Sequence, residues 1–204
     1  MNIDEPLVSI IMPSFNTQDT IGKSIESVLN QTYSNWELLI TDDCSTDNTK
    51  DVVRGFQEKD HRIKLFINRD NSGSGVSRNN SIDSSKGKYI AFLDSDDLWR
   101  SSKLSKQNAF MEKNSYLLTY TAYQKFDSKR FRGLVNPRRS VTYNQLLSNN
   151  VIGCLTAIYN SEVLGKVYMP TIRKKQDFGL WLKILKNTIN LLRKQILILK
   201  IKKI

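Results

Sequence analysis

Leu7-Val8-Ser9-Ile10-Ile11-Met12-Pro13-Ser14 is the first apolar run of the chain. It is of strand length rather than helix length, and its near-continuous hydrophobicity is that of a strand covered on both faces. Pro13 lacks a backbone N–H and is expected to stop it. Immediately afterwards Ile21, Ile25, Val28 and Leu29 recur on one helical face, with Thr17 or Asp19 as candidate N-cap. A second run, Trp36–Thr41, is followed by a helical stretch over Asp47–Glu58. Ile63–Ile67 reads as a third strand, Gly73–Ser84 as a glycine-led turn into a helix, and Tyr89–Leu93 as a fourth strand. Repeated βαβ of this kind predicts an α/β fold with a mostly parallel central sheet and helices on both faces. Ligands then belong outside the strand C-termini, which points to Pro13–Asn16, Thr41–Ser45, the loop beyond Ile67, and Asp94–Asp97.

The second half is less regular. Ser101–Asn114 reads as a helix, Leu117–Phe126 as a strand, and Lys129–Arg139 as a basic loop with Gly133 and Pro137. Thr142–Leu147 suggests a short helix, Leu155–Tyr159 a strand, and Asp177–Leu185 a helix that buries Leu180, Trp181, Ile184 and Leu185. There is no repeat and no linker, so a single domain is expected. The 204 residues suffice for a sizeable core.

Composition excludes several classes. Hydrophobic residues are 39% and charged residues 25%, ordinary globular usage. No apolar run reaches the ~20 residues of a membrane span. The first residues carry acids where a secretory leader carries bases. Cys44 and Cys154 are too few and too far apart for a disulfide framework or zinc cluster, so cytoplasmic placement is expected. The net charge of +11 is mostly local, because Lys183–Ile204 holds seven bases and no acid. A nucleic-acid partner is therefore not expected.

The strongest chemical signal is Phe92-Leu93-Asp94-Ser95-Asp96-Asp97, a D-x-D motif and a third carboxylate at the end of an apolar strand. Carboxylates so close repel unless a cation compensates, and hard oxygen ligands suit Mg²⁺ or Mn²⁺. The alternative is an acidic turn and helix cap. Asp42-Asp43-Cys44-Ser45-Thr46-Asp47 also follows a strand; as a calcium loop it fails, with Asn48 where glycine and Arg54 where glutamate belong. An aspartyl phosphatase would place its nucleophile after the first strand, where Met12-Pro13-Ser14 stands, and no dinucleotide glycine fingerprint follows that strand. Asn71-Ser72-Gly73-Ser74-Gly75 leads into Arg78 and could approach a phosphate or ribose closely, or be a plain glycine turn. Gln176-Asp177 could equally be a simple helix start.

Taken in order, these pieces resemble glycosyltransferase family 2, with its GT-A nucleotide-sugar fold, over about residues 6–186. The set is Val8–Asn16, Ser27–Tyr33, Asp42–Thr49, Asn71–Asn79, Asp94–Asp97 and Gln176–Leu182. Asn150–Thr156 and Tyr168-Met169-Pro170 are similar to bacterial members that build capsule or lipopolysaccharide chains. The resemblance implies an inverting transfer from a nucleotide-diphosphate sugar, with uridine as the base, to a saccharide or lipid-linked saccharide. Pro13, Ser14, Asn16 and Asp43 would hold the nucleotide, with Arg78 beside it. Asp94 would reach the ribose or metal-bound water, Ser95 would belong to the nucleotide-sugar site, Asp96 would bind Mn²⁺ or Mg²⁺, and Asp177 would be the general base. Trp181 reads as core rather than as a sugar platform. Cys44 stands where the family usually has glycine, which is expected to strain the turn.

Beyond about Lys186 the resemblance ends. Asn187–Ile204, rich in Leu, Ile, Lys and Asn, reads as an atypical or truncated tail, or as a basic segment lying peripherally on the inner face of the plasma membrane. A truncated end would make the chain an inactive nucleotide-sugar binder. A metal phosphohydrolase using Asp94 and Asp96 is the weaker alternative.

Overall fold

A computed structural model describes residues 5–127 and 130–192. Its six-stranded sheet runs β3(Ile63–Ile67), β2(Trp36–Asp42), β1(Val8–Ser14), β4(Tyr89–Phe92), β8(Ile158–Asn160), β5(Leu118–Thr119). The first four strands are mutually parallel, and β8 is antiparallel to both β4 and β5. Pro13 does not stop β1: the strand continues to Ser14, paired with Asp42 of β2. Its β4 partner reaches only Ile11, so one edge of β1 is open at Pro13 and no ladder donor is missing there.

Strand parity divides the core. Val8, Ile10 and Met12 face α1(Ile21–Leu29), α2(Thr49–Gln57) and α4(Lys103–Asn114). Ile11, with Leu39, Ile90 and Phe92, faces α3(Ser74–Ser84), α5(Tyr143–Ser148) and α7(Gln176–Leu192). Both faces of the parallel strands are therefore dry, which is why they read as continuous apolar runs. Leu180, Trp181, Ile184 and Leu185 are all fully buried. Trp181 meets the Phe92 ring edge-on at 5.5 Å, a core contact.

Several expected boundaries shift. Helix α1 begins after Thr20, with Thr17 contributing its carbonyl to the Ile21 N–H, so neither Thr17 nor Asp19 is the cap. The expected strand Leu117–Phe126 is two pieces, β5 and β6(Tyr123–Phe126). The expected basic loop contains β7(Phe131–Val135), which pairs antiparallel with β6 as a separate hairpin. The expected strand Leu155–Tyr159 starts as a 3-10 turn over Cys154–Thr156. A short α6(Ser161–Leu164) follows β8. Helix α7 runs unbroken past Lys186; the tail beyond it, Arg193–Ile204, lies outside the described residues.

At the N-terminal edge of the sheet a polar cluster braces three elements. Glu37, nearly buried, accepts from Ser9 Oγ at 2.7 Å, Lys86 N at 2.7 Å and Lys64 Nζ at 3.0 Å. Gly87 N donates to Ser9 Oγ at 2.8 Å, and a Cβ on Gly87 would stand 2.6 Å from Ser9 N. Only glycine fits that approach.

Candidate functional site

The strand C-termini carry the expected loops, and β1 and β2 are tied first. Asp43 N donates to Ser14 O at 2.8 Å. Asn16, at φ 51°, donates from its N–H to Ser45 Oγ at 2.9 Å and accepts from Thr46 N at 2.8 Å. Asn tolerates the left-handed region because its short side chain can bond locally. Cys44 has φ 65°, the conformation for which glycine is suited, so the strain expected from its departure is present in the backbone. Pro13 and Ser14 are buried at the end of β1. Ser14 Oγ donates to Asp42 at 3.4 Å.

Asp43 is engaged with the protein. Its Oδ1 accepts from Asn68 Nδ2 at 2.7 Å and Ser72 N at 2.9 Å, and its Oδ2 from Gly73 N at 2.7 Å. It latches the loop between β3 and α3 over the sheet edge. Oδ2, bonded to Gly73 N, keeps capacity for a further donor. Gly73 takes φ 88° to turn into α3.

Arg78, on the first turns of α3, donates from Nη2 to Asp94 Oδ1 at 2.5 Å. It is buried, and its Nε has no protein partner. A buried guanidinium donor left unmet is costly unless a ligand supplies an acceptor. Beside it the turn Asp94–Asp97 closes through Asp97 N to Asp94 O at 3.0 Å, with Ser95 buried and Asp96 exposed. Burial, then Asp94 and Asp96, push the Asp97 carboxyl up to about 7. Arg78 offsets Asp94 alone, which leaves Asp96 and Asp97 beside each other, and a divalent cation fits there. Among the described residues no three His, Cys, Asp or Glu side chains converge as a cage. A cation held by one or two of these carboxylates would take its other oxygens from water and a diphosphate, the usual arrangement for Mg²⁺.

Asp177 reaches the same region from α7. Gln176, its neighbour, accepts from Ser74 Oγ at 3.3 Å, and its side chain fills the space where a Cβ on Gly75 would lie, 3.1 Å from its Cγ. This contact seats the start of α7 on the start of α3. Farther along, a Cβ on Gly179 would lie 2.5 Å from Pro170, and Asn79 exchanges two bonds with the Met169 backbone. Asn150 Nδ2 donates to Asp177 Oδ2 at 3.5 Å. Cys154 lies between the two halves, within electrostatic range of Arg78, Asp94 and Asp177, and burial pushes its thiol up, so it is a neutral filler. On the far side Asp177 lines a cavity of about 420 Å³ with Tyr123, Arg138, Asn150 and Gly153. The Tyr123 ring packs where a Gly153 Cβ would sit, at 3.2 Å.

Beyond the acidic turn, Trp99 and helix α4 hold the segment that follows Gly153. Trp99 Nε1 donates to Leu155 O at 2.9 Å, and Gln107 Nε2 to Thr156 O at 3.0 Å. The Gln176–Gly75, Asn150–Asp177 and Trp99–Leu155 contacts carry no local sequence signal. Gly75 alone gives a hint, since it sits inside a helix where its conformational freedom is not needed.

Loops gathered at the C-terminal ends of a mostly parallel sheet, with an acidic turn among them, are the architecture of GT-A-type glycosyltransferases. Residues 9–166 match the model of "Glycosyl transferase family 2", and the chain belongs to that family. It is 41% identical over 184 residues to TuaG of Bacillus subtilis (strain 168), a glycosyltransferase named for teichuronic acid biosynthesis, covering 89% of this chain and 73% of TuaG. It is 44% identical over 185 residues to the Escherichia coli UDP-Glc:alpha-D-GlcNAc-diphosphoundecaprenol beta-1,3-glucosyltransferase WfgD, covering 91% of this chain and 72% of WfgD. The solved structure of S. aureus TarS 1-349 in complex with UDP superposes with a TM-score of 0.72 at 25% identity, covering 95% of this chain and 60% of that one. Among the described residues no helix is long and apolar enough to cross a membrane.

Proposed function

We propose that the chain, over residues 1–186, transfers a sugar with inversion from a UDP-sugar to a hydroxyl of a lipid-linked saccharide in cell-surface polysaccharide synthesis. The observation that supports this reading is that Asp177 lines the 420 Å³ cavity while lying within electrostatic range of Arg78. The UDP held by the TarS structure supports the donor, and the diphosphoundecaprenol acceptor that WfgD is named for supports the acceptor.

In this reading the turn Pro13–Asn16 and Asp43 flank the uracil and ribose. Arg78 offers its unmet Nε–H to a diphosphate oxygen, and Asp94 holds that guanidinium in place. Asp96, with Asp94 and Ser95 around it, would hold Mn²⁺ or Mg²⁺, which when bound offsets negative charge gathering on the departing diphosphate. The acceptor hydroxyl enters from the cavity. Its pKa is far above 7, so Asp177 takes the proton as the oxygen attacks the anomeric carbon opposite the diphosphate. One base and no covalent intermediate give inversion. Peripheral membrane attachment follows from the acceptor.

The test is titration of the purified chain with UDP in Mn²⁺ and in EDTA, alongside Asp96→Asn and Asp177→Asn. Binding should need the metal, weaken in Asp96→Asn and persist in Asp177→Asn. With UDP-glucose and a GlcNAc-diphosphate lipid, Asp177→Asn should lose transfer. UDP binding that ignores both EDTA and Asp96→Asn would remove the assigned metal site, and transfer that survives Asp177→Asn would remove the base.

A further inference from the structure

The β6–β7 hairpin stands apart from the main sheet and presents an unusual surface. Phe126 and Phe131 face each other across it, 43% and 70% exposed, and Leu134 is 49% exposed. Around them Lys125, Arg130, Arg132, Arg138 and Arg139 are all exposed. Among the described residues of 123–139 the sole acid is Asp127, which is ion-paired with Arg132. Exposed aromatics ringed by bases are costly in water and match a bilayer interface, where the rings enter the headgroup region and the bases meet anionic lipid. An acidic protein surface would satisfy the charges but not ask for two opposed phenyl rings at an exposed tip.

The base of the hairpin is fixed to the site. Tyr123, Val135 and Arg138 line the cavity that holds Asp177, and Tyr120 Oη donates to Arg138 O at 3.0 Å. A hairpin whose tip rests on lipid therefore sets its base, and the cavity mouth, at the height of headgroup-linked sugars.

We infer that the β6–β7 hairpin is the element by which this protein docks on an anionic membrane surface, with Phe126 and Phe131 inserted and Arg130 and Arg139 on the headgroups. Its use in catalysis rests on the lipid-linked acceptor proposed above; the docking itself does not.

The experiment is co-sedimentation of the full chain with phosphatidylglycerol/phosphatidylcholine vesicles, against phosphatidylcholine alone. Three variants accompany it: Phe126→Ser with Phe131→Ser; Arg130→Gln with Arg139→Gln; and the tail set Lys194→Gln, Lys200→Gln, Lys202→Gln and Lys203→Gln. UDP titration of each variant checks the donor site. Wild type should bind the anionic vesicles, and binding should fall with salt. Each hairpin variant should lose at least tenfold in partitioning with UDP affinity unchanged, while the tail set keeps most of its binding. No vesicle binding by wild type, or wild-type binding by both hairpin variants, overturns the inference, as does a loss confined to the tail set. Vesicle binding without UDP binding would leave the docking surface standing and remove the donor-site reading instead.

Discussion

The guanidinium of Arg78 reaches across from α3 to the carboxylate of Asp94 at the end of β4, joining the glycine loop to the acidic turn by one ion pair. Arg78 is almost wholly buried, whereas the Asp94 side chain is 32% exposed, so one partner is committed to the protein and the other remains open to a ligand. Lysine at position 78 keeps the charge but has neither the planar fork nor a second donor in line. Arg78→Lys should therefore weaken UDP binding about tenfold or more, roughly the 1.4 kcal/mol of one charge-assisted bond. Calorimetric titration checks it, and unchanged affinity would mean that the Nε–H meets no donor oxygen.

Gly75 and Gln176 join the glycine loop to the start of α7. A methyl group at 75 would displace the end of a flexible side chain rather than backbone, so Gly75→Ala should change stability by less than about 1 kcal/mol. The start of α7 would nonetheless shift with Gln176, moving Asp177. Turnover should fall several-fold while UDP affinity holds. Steady-state kinetics beside a melting curve separate the two, and turnover that is unaffected would show that Asp177 is placed independently of this contact.

Lys103 is a buried base whose Nζ sits 4.0 Å from the Trp99 ring and 3.1 Å from Gln107 Oε1. Burial draws its pKa from 10.5 down to about 7; the ring face pulls the other way. A base depressed on folding imposes a cost that is complete below its folded pKa and is relieved as pH rises toward the unfolded one. Stability should thus gain between about pH 7 and 10.5 from this group. Lys103→Met should stabilise the fold near pH 6 by on the order of 1–3 kcal/mol, with the advantage shrinking as pH rises above about 7. Urea denaturation across that range checks the sign; an advantage that grew with pH would reverse the assignment.

The legible parts of the chain were those in which one local pattern meets one environment. Val8–Met12 and Tyr89–Leu93 are dry on both faces, so their hydrophobicity needs no partner to be interpreted. Asp94–Asp97 and Asp177 are visible as carboxylates at strand and helix ends, but the same pattern also suits a turn or a helix start, and only their place in the ordered set of motifs separates the two. The hairpin was missed for the opposite reason. Lys125, Arg132 and Gly133 interrupt any apolar alternation, since neither face of β6–β7 packs on the core, and the pattern then looks like a loop. Asp43 was placed correctly after its strand, yet its bonds to Asn68, Ser72 and Gly73 depend on how the next loop folds back. Gln176 on Gly75 and Trp99 on Leu155 join residues 101 and 56 positions apart, and such pairings are set by topology rather than by neighbours.

Glu37, Ser9 and Gly87 sit at the opposite end of the strands from every residue assigned to donor or acceptor. The two ends can therefore drift separately. Substitutions around Glu37 would register as changes in melting and expression, whereas changes of sugar preference would have to come from the crevice loops and the hairpin. A lineage could trade one sugar for another without renegotiating the scaffold that carries both.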